Sequence, residues 1–514
     1  MMNNNNAVNT TNSNFDLDQL MSLQPPLKEN PFANTRVADL FREQARKTPD
    51  AIAVEMGDES MTYKELDQRS DLLSSALVET GVGPNDIVAM NLSKNVYQAV
   101  GILGVTKSGG AFLPMDPSWP LERRQYIVKD ANCRVAIIQG QFKGEYDGWF
   151  DGRFMVVDDP VWDDLLQQAQ SDESVLGEQP TFSNPHDIAY IIFTSGSTGK
   201  PKGATVKHLG LMNYQWSLAS LNLKDKGWRC ALSFNYYFDF FYYDFFSTIC
   251  FEAGTIVYYE NGLALDGMTE VAALSSVPDS VELILVGGEA LTGATVDAVK
   301  ESNAKLVSVY GPTETSNIVC ARTVLDSNNI TSLGAFFPNV QTYVSCPESL
   351  ELKAFGEWGE LLIGGDQVGL GYLNRPELTA EKFISNPWGA GTLYRTGDLV
   401  RFGADGQLEI GGRIDFQIKF NGQRMEAGEI ENALMSIDGV DEAVVLHRKD
   451  LDGPDALCAY VKPSSAVVDG GANLKANLVL PKYMFPTAFV GIDSWPRNGN
   501  EKIDRKSLPK PVAI

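Results

Sequence analysis

Hydrophobic positions recur along this chain at two periods, and each change of period marks an element. In "TRVADLFREQARKTPDAIAVEM" (35–56) they fall every three or four residues as far as Lys47 and then cluster after "KTPD". That pattern predicts a helix followed by a strand. "DIVAMNLSKNVYQAVGILGVTKSGGAFLPMD" (86–116) predicts strand, amphipathic helix, a Gly-Gly turn and strand. "SVELILVGGEAL" and "KLVSVYGPTET" are β-branched runs that end in turn residues. Such alternation over about residues 35–410 predicts an α/β fold whose sheets are mostly parallel, with ligands beyond the carboxyl ends of the strands. After Arg413 the pattern changes: "GEIENALMSIDGVDEAVVLHR" reads as helix, turn and strand, and "ALCAYVKP" as a further strand. The expected organisation is an Asn-rich disordered tail (1–30), a large α/β domain (31–413) and a small α+β domain (414–514).

Composition narrows the class. The 514 residues are 44% hydrophobic and 21% charged, with a formal charge of −24 and a pI near 4.6. That balance argues against nucleic acid or an anionic membrane as partner. The N-terminus lacks a basic region and an apolar core, and no apolar run reaches the roughly 20 residues of a membrane helix. The six cysteines have no C-x-x-C spacing and read as reduced thiols. These features together give a cytoplasmic expectation. His186, His208 and His447 share no ligand-like spacing, which disfavours zinc or a Ser-His-Asp triad.

"FTSGSTGKPKG" (193–203) follows the strand-like "IAYII". Only Ser197 and Thr198 separate Gly196 from Gly199, and Pro201 follows Lys200, so it is not a Walker loop. Its glycines, its hydroxyls (Thr194, Ser195, Ser197, Thr198) and its lysines still suit phosphate oxygens. Read alone, such a loop is more often a plain connection than a phosphate site.

Other segments follow it in order: "VYGPTETS" (309–316), "LYRTGDLVRF" (393–402), "GGRIDFQIKFNGQRMEAGEIE" (411–431) and "NEKIDRKSL" (500–508). "MTYKEL", "GVTKSGGAFLPMDP" and "GELLIGGDQVGLGYLNRPELTAEKF" extend the series. Together they resemble the adenylate-forming superfamily, most closely the adenylation domains of nonribosomal peptide synthetases, over nearly the whole chain from about residue 35. The resemblance implies that a carboxylate attacks the α-phosphate of Mg-ATP. This releases pyrophosphate and gives an acyl-adenylate, and the acyl group then passes to the phosphopantetheine thiol of a carrier protein. A carboxylate is already a nucleophile, so the main task is to neutralise and align two anions.

By the same resemblance the nucleotide contacts are Thr194, Ser195, Gly196, Ser197, Thr198, Gly199, Lys200, Tyr310 (stacking on adenine), Gly311, Thr313, Asp398 (on the ribose hydroxyls) and Arg413. Glu314 would be the magnesium-associated carboxylate, Asp415 the hinge and Lys502 the catalytic lysine carried by the small domain. The family has N-G-K where this chain has Asn500-Glu501-Lys502. Asp239, in the aromatic run "SFNYYFDFFYYDFFSTICFEAG", matches the carboxylate that pairs with a substrate α-ammonium, so an amino acid is the implied substrate. Phe240, Tyr243, Leu285, Gly287, Val309, Asn317 and Ile318 would line the side-chain pocket, whose pattern resembles threonine-type pockets. Between Gly254 and Gly287 the chain is shorter than the family pattern. A carrier would be a separate partner. Two alternatives stay open: an acyl-CoA-type ligase for a plain carboxylic acid, and a catalytically impaired relative.

Overall fold

The computed structural model describes residues 23–511, except 170, 178–183, 197–198, 224–226, 233, 259–276, 278–279, 290, 328–329, 416, 422, 452–453 and 498–502. Its central sheet has seven strands, in the order Gly371–Tyr372, Lys202–Lys207, Ile188–Thr194, Ala111–Met115, Ile87–Asn91, Val135–Ile138, Arg153–Val156. From Ile188–Thr194 onward every neighbour is parallel. The sequences IVAMN, AFLPM and VAII are almost wholly buried, as a sheet covered on both faces requires. The helix Val37–Lys47 and the strand Ile52–Met56 fall where the hydrophobic period predicts. The helix Tyr63–Glu79 starts with a reciprocal capping box between Thr62 and Glu65. Helix Tyr97–Ser108 is buried almost all round and stops at Gly109, whose φ of +84° suits glycine.

A second sheet pairs Ile52–Met56 with Thr255–Tyr258 and then Arg229–Leu232 in parallel. A third joins Leu283–Val286 to Lys305–Tyr310 in parallel and is extended by two antiparallel strands. Residues 340–413 differ from the expected rhythm: Val340–Ser345, Gly359–Gly365, Thr392–Phe402, Phe383–Ser385 and Leu408–Arg413 form an antiparallel sheet. The large hydrophobic core runs from Val37 to Leu408.

A separate core starts at Ile418. Here lie the hairpin Gln417–Phe420/Gln423–Glu426, the helix Ala427–Met435, and a sheet of Glu442–Arg448, Ala456–Lys462 and Ala488–Gly491. We call this part the small lobe and the part before it the large lobe. The helix–turn–strand reading of 428–448 is what forms.

Residues 23–30, expected as the end of a disordered tail, are instead tied down. Gln24 Nε2 donates to the Thr342 carbonyl, and the Lys28 N–H donates to Asn339 Oδ1. Residues 1–22 lie outside the described ones. All six cysteines are free thiols, four of them buried. Among the described residues no helix is long and apolar enough to cross a membrane.

Candidate active site

The loop that opens the motif series connects two antiparallel strands, with Thr194 paired to Lys202. No helix follows it, which is the physical reason it departs from a Walker loop. Beside it lies a cleft lined by the expected residues Thr194, Ser195, Asp239, Phe240, Gly287, Val309, Tyr310, Gly311, Thr313, Asn317, Ile318, Asp398 and Arg413. Segments more than two hundred residues apart in sequence thus converge on one space.

Among them are the groups expected to face a nucleotide. Tyr310 ends the strand Lys305–Tyr310, and its hydroxyl donates to Asp398 Oδ2 at 2.6 Å. Arg413 Nη1 donates to Asp398 Oδ1 at 2.8 Å, while its Nε and Nη2 hold both oxygens of Asp415, each at 2.7 Å. Burial pushes the Asp415 carboxyl up, but the Arg413 guanidinium outweighs it and holds the group below the usual range. The expected hinge residue is therefore clamped in the arrangement seen here.

Asp239 also lines the cleft, immediately before the short helix Phe240–Phe246. It has no ion-pair partner among the described residues, and burial raises its pKa, opposed by a hydrogen bond from Thr313. Asn317 Nδ2 donates to the Asp239 carbonyl at 2.9 Å and so fixes the backbone that carries this carboxylate. Phe240 lies against Phe234, with ring centroids 4.8 Å apart. A Cβ at Gly287 would come within 2.8 Å of Phe240 Cε2 and 2.9 Å of Val309 Cγ2, so glycine there leaves the aromatic ring its place.

Several expected residues do not reach the cleft. Tyr243 is 2% exposed within the main core, and Leu285 packs against that core from its strand, so both support the wall rather than form it. Lys200 Nζ points to the Tyr126 ring, 5.8 Å away. Gly199, at φ +81°, packs on Asn432 of the small lobe. Ser197, Thr198 and Lys502 lie outside the described residues, as does most of the shortened 254–287 segment.

Glu314 is fully buried, and both of its oxygens are occupied. Arg424 Nη1 and Nη2 donate to it at 2.7 and 3.1 Å, and the Tyr372 hydroxyl donates at 2.7 Å. Burial alone would raise its pKa; Arg424 first and Lys202 next reverse this and hold it at about 2. In this lobe arrangement Glu314 does not fit as a metal ligand, and no cluster of three or more His, Cys, Asp or Glu ligands occurs among the described residues.

The small lobe adds residues that sequence reasoning did not single out. Gln417, Lys419, Gln423, Arg424 and Tyr483 line the cleft. Lys419 Nζ sits 5.8 Å from the centroid of the Tyr310 ring, and burial lowers its pKa. Tyr483 meets Phe238 edge-on at 6.1 Å. The period-2 alternation of Gln417 and Lys419 with Ile418 and Phe420 was the available signal, since it puts two polar side chains on one face of a strand.

With this geometry in place, comparison with known proteins assigns the class. The chain matches the family model described as "AMP-binding enzyme" over residues 41–277 and 263–373 and belongs to that family. It is 34% identical over 509 residues to tyrocidine synthase 3 of Brevibacillus parabrevis, covering 93% of this chain and 8% of that protein. It is 34% identical over 508 residues to tyrocidine synthase 1 of the same organism, covering 94% and 45%. The chain thus spans less than half the length of either relative. Among solved structures, a four-domain nonribosomal peptide synthetase bound to AMP and glycine is 29% identical, with a TM-score of 0.66, over 96% of this chain and 37% of that one. An artificially fused adenylation–PCP di-domain from Klebsiella oxytoca shares the fold, at 23% identity and a TM-score of 0.74, over 88% and 93%.

Proposed function

We propose that this chain activates an amino acid with ATP, forming the aminoacyl-adenylate and pyrophosphate, and passes the aminoacyl group to the phosphopantetheine thiol of a carrier protein. One observation carries the reading. A single cleft holds a half-buried carboxylate with no ion-pair partner among the described residues, Asp239, together with the Tyr310–Asp398–Arg413 group. A half-buried carboxylate of this kind calls for a cation, and a substrate α-ammonium supplies one. Arg413 and the cleft-lining Ser195 offer donors to phosphate or ribose, and Asp398 offers acceptors to a ribose diol. The relatives' names and the AMP and glycine bound by the solved synthetase agree with this assignment.

Phe240 lines the cleft and would shorten the pocket, favouring a small side chain, and Asn317 would supply a polar group; threonine is the candidate. Mg²⁺ is expected to accompany ATP, with Glu314 released to it only after the Arg424 hairpin has withdrawn. Lys502 would act from the small lobe, and Asp415 would be the turning point between 31–413 and 414–514. A cytoplasmic setting is part of the same reading. The test is amino-acid-dependent exchange of labelled pyrophosphate into ATP, across a panel of amino acids and plain carboxylic acids. Exchange with small amino acids is expected. Exchange with plain acids alone, or with no acid at all, overturns the assignment.

A further inference from the structure

The small lobe touches the glycine loop at Glu426, which caps the helix Ala427–Met435, and at Glu429 and Asn432 within it. The Glu426 N–H donates to Ser195 Oγ at 2.8 Å, the Gly196 N–H donates to Glu429 Oε2 at 3.3 Å, and the Asn432 side chain takes the space a Cβ at Gly199 would need. The other oxygen of Glu429 pairs with Arg123, from the helix Leu121–Asp130 of the large lobe. Arg123 is 8% exposed and Glu429 2%. Arg123 lies 5.3 Å from the Trp119 ring, and its Nε and Nη2 are buried with no hydrogen-bond partner among the described residues.

A guanidinium and a loop amide therefore converge on one anionic group, and two guanidinium donors remain beyond what this carboxylate takes up. A planar cationic fork beside a glycine-loop N–H is a donor set suited to phosphate oxygens as much as to a carboxylate. When the small lobe moves off, Arg123 loses the Glu429 carboxylate and its guanidinium is left to water or to another anion.

We propose that Arg123 and the Gly196 N–H form one anion seat with two alternating occupants. Glu429 fills it in the arrangement seen here, and a phosphate oxygen of the pyrophosphoryl group fills it when the small lobe is withdrawn. Pyrophosphate and the docked lobe then exclude each other at a single point, and product departure becomes a condition for docking. This rests on the proposed function only in that the loop handles ATP and pyrophosphate.

The test is calorimetric titration of the full chain with inorganic pyrophosphate in magnesium buffer, without nucleotide or amino acid. Glu429→Gln removes the competitor and should tighten pyrophosphate binding about tenfold, the scale of one charge-assisted hydrogen bond. Arg123→Gln removes the seat and should weaken binding by about tenfold or more. A merely structural ion pair would loosen docking equally from either side and shift both variants the same way. Shifts of the same sign, no shift in either variant, or no binding by the unaltered chain overturn the proposal. Should Arg123→Gln fail to fold, Arg123→Lys keeps the charge without the fork. It should weaken binding by a smaller factor, and unchanged or tighter binding overturns the proposal. The readout needs no substrate, so opposite-signed shifts would stand even if the exchange panel gave nothing.

Discussion

Arg424→Met is the perturbation whose effect follows most directly from the structure. Arg424 belongs to the small lobe and Glu314 to the large one, and their two-point ion pair is buried between them. The Glu314 carboxyl is held at about 2, against an ordinary 4.5, with Arg424 the largest lowering influence after burial has pushed the other way. That depression corresponds to roughly 3 kcal/mol, in the range expected when one partner of a buried pair is removed. Methionine keeps the bulk of the stem but leaves Glu314 with only the Tyr372 hydroxyl and the nearby Lys202. Docking of the lobes should then weaken on the order of a hundredfold.

Two backbone amides report docking, because each donates across the boundary: Gly196 to Glu429 and Glu426 to Ser195. In hydrogen-exchange mass spectrometry their protection should fall by on the order of a hundredfold in Arg424→Met. Amides within Ile188–Thr194, in the large-lobe sheet, should be unaffected. If both reporting amides change by less than about threefold in a folded variant, the ion pair does not hold the lobes together.

Asp239→Ala should raise KM for the amino acid far more than KM for ATP in exchange assays; equal rises would mean that Asp239 does not face the ammonium. Lys502→Ala should lower adenylate formation by at least ~10²-fold, the scale of one lost transition-state charge partner, and unchanged pyrophosphate exchange would remove the assignment. His208 is 2% exposed, and burial, aided by Arg36, holds its pKa at about 4 against 6.5. Between those values only the unfolded chain takes up the proton, so stability should fall as pH drops from 6.5 to about 4, by up to roughly 3 kcal/mol. Thermal melts of His208→Gln should lose that slope; an unchanged slope would place its origin elsewhere.

What could be read from the sequence was local. Strand Ile188–Thr194, the loop after it and the carboxylate of "RTGD" each have a short-range pattern, and ordered motifs place them at one cleft. The antiparallel sheet of residues 340–413 was harder to foresee, because its strands run from the three residues of Phe383–Ser385 to the eleven of Thr392–Phe402 and follow no regular strand–helix rhythm. The pairings across the lobes were not legible. Arg424 and Glu314 are separated by 110 residues, and Arg123 and Glu429 by 306, so no periodicity relates them. Tyr243 was misplaced for a simpler reason: on a seven-residue helix buried along most of its faces, position alone does not say which aromatic meets the cleft and which the core.

Among the described residues the chain crosses from one core to the other once, near Asp415. A chimera exchanging small lobes between relatives therefore needs one splice, but that splice carries over a whole set of partners at once. Arg424, Glu426, Glu429, Asn432 and Tyr483 would arrive together and must each find a counterpart on the host. Grafts that keep the host's equivalents of Arg123, Ser195, Phe238 and Glu314 should work as modules; those that alter one of them would inherit a foreign lobe that has nowhere to rest.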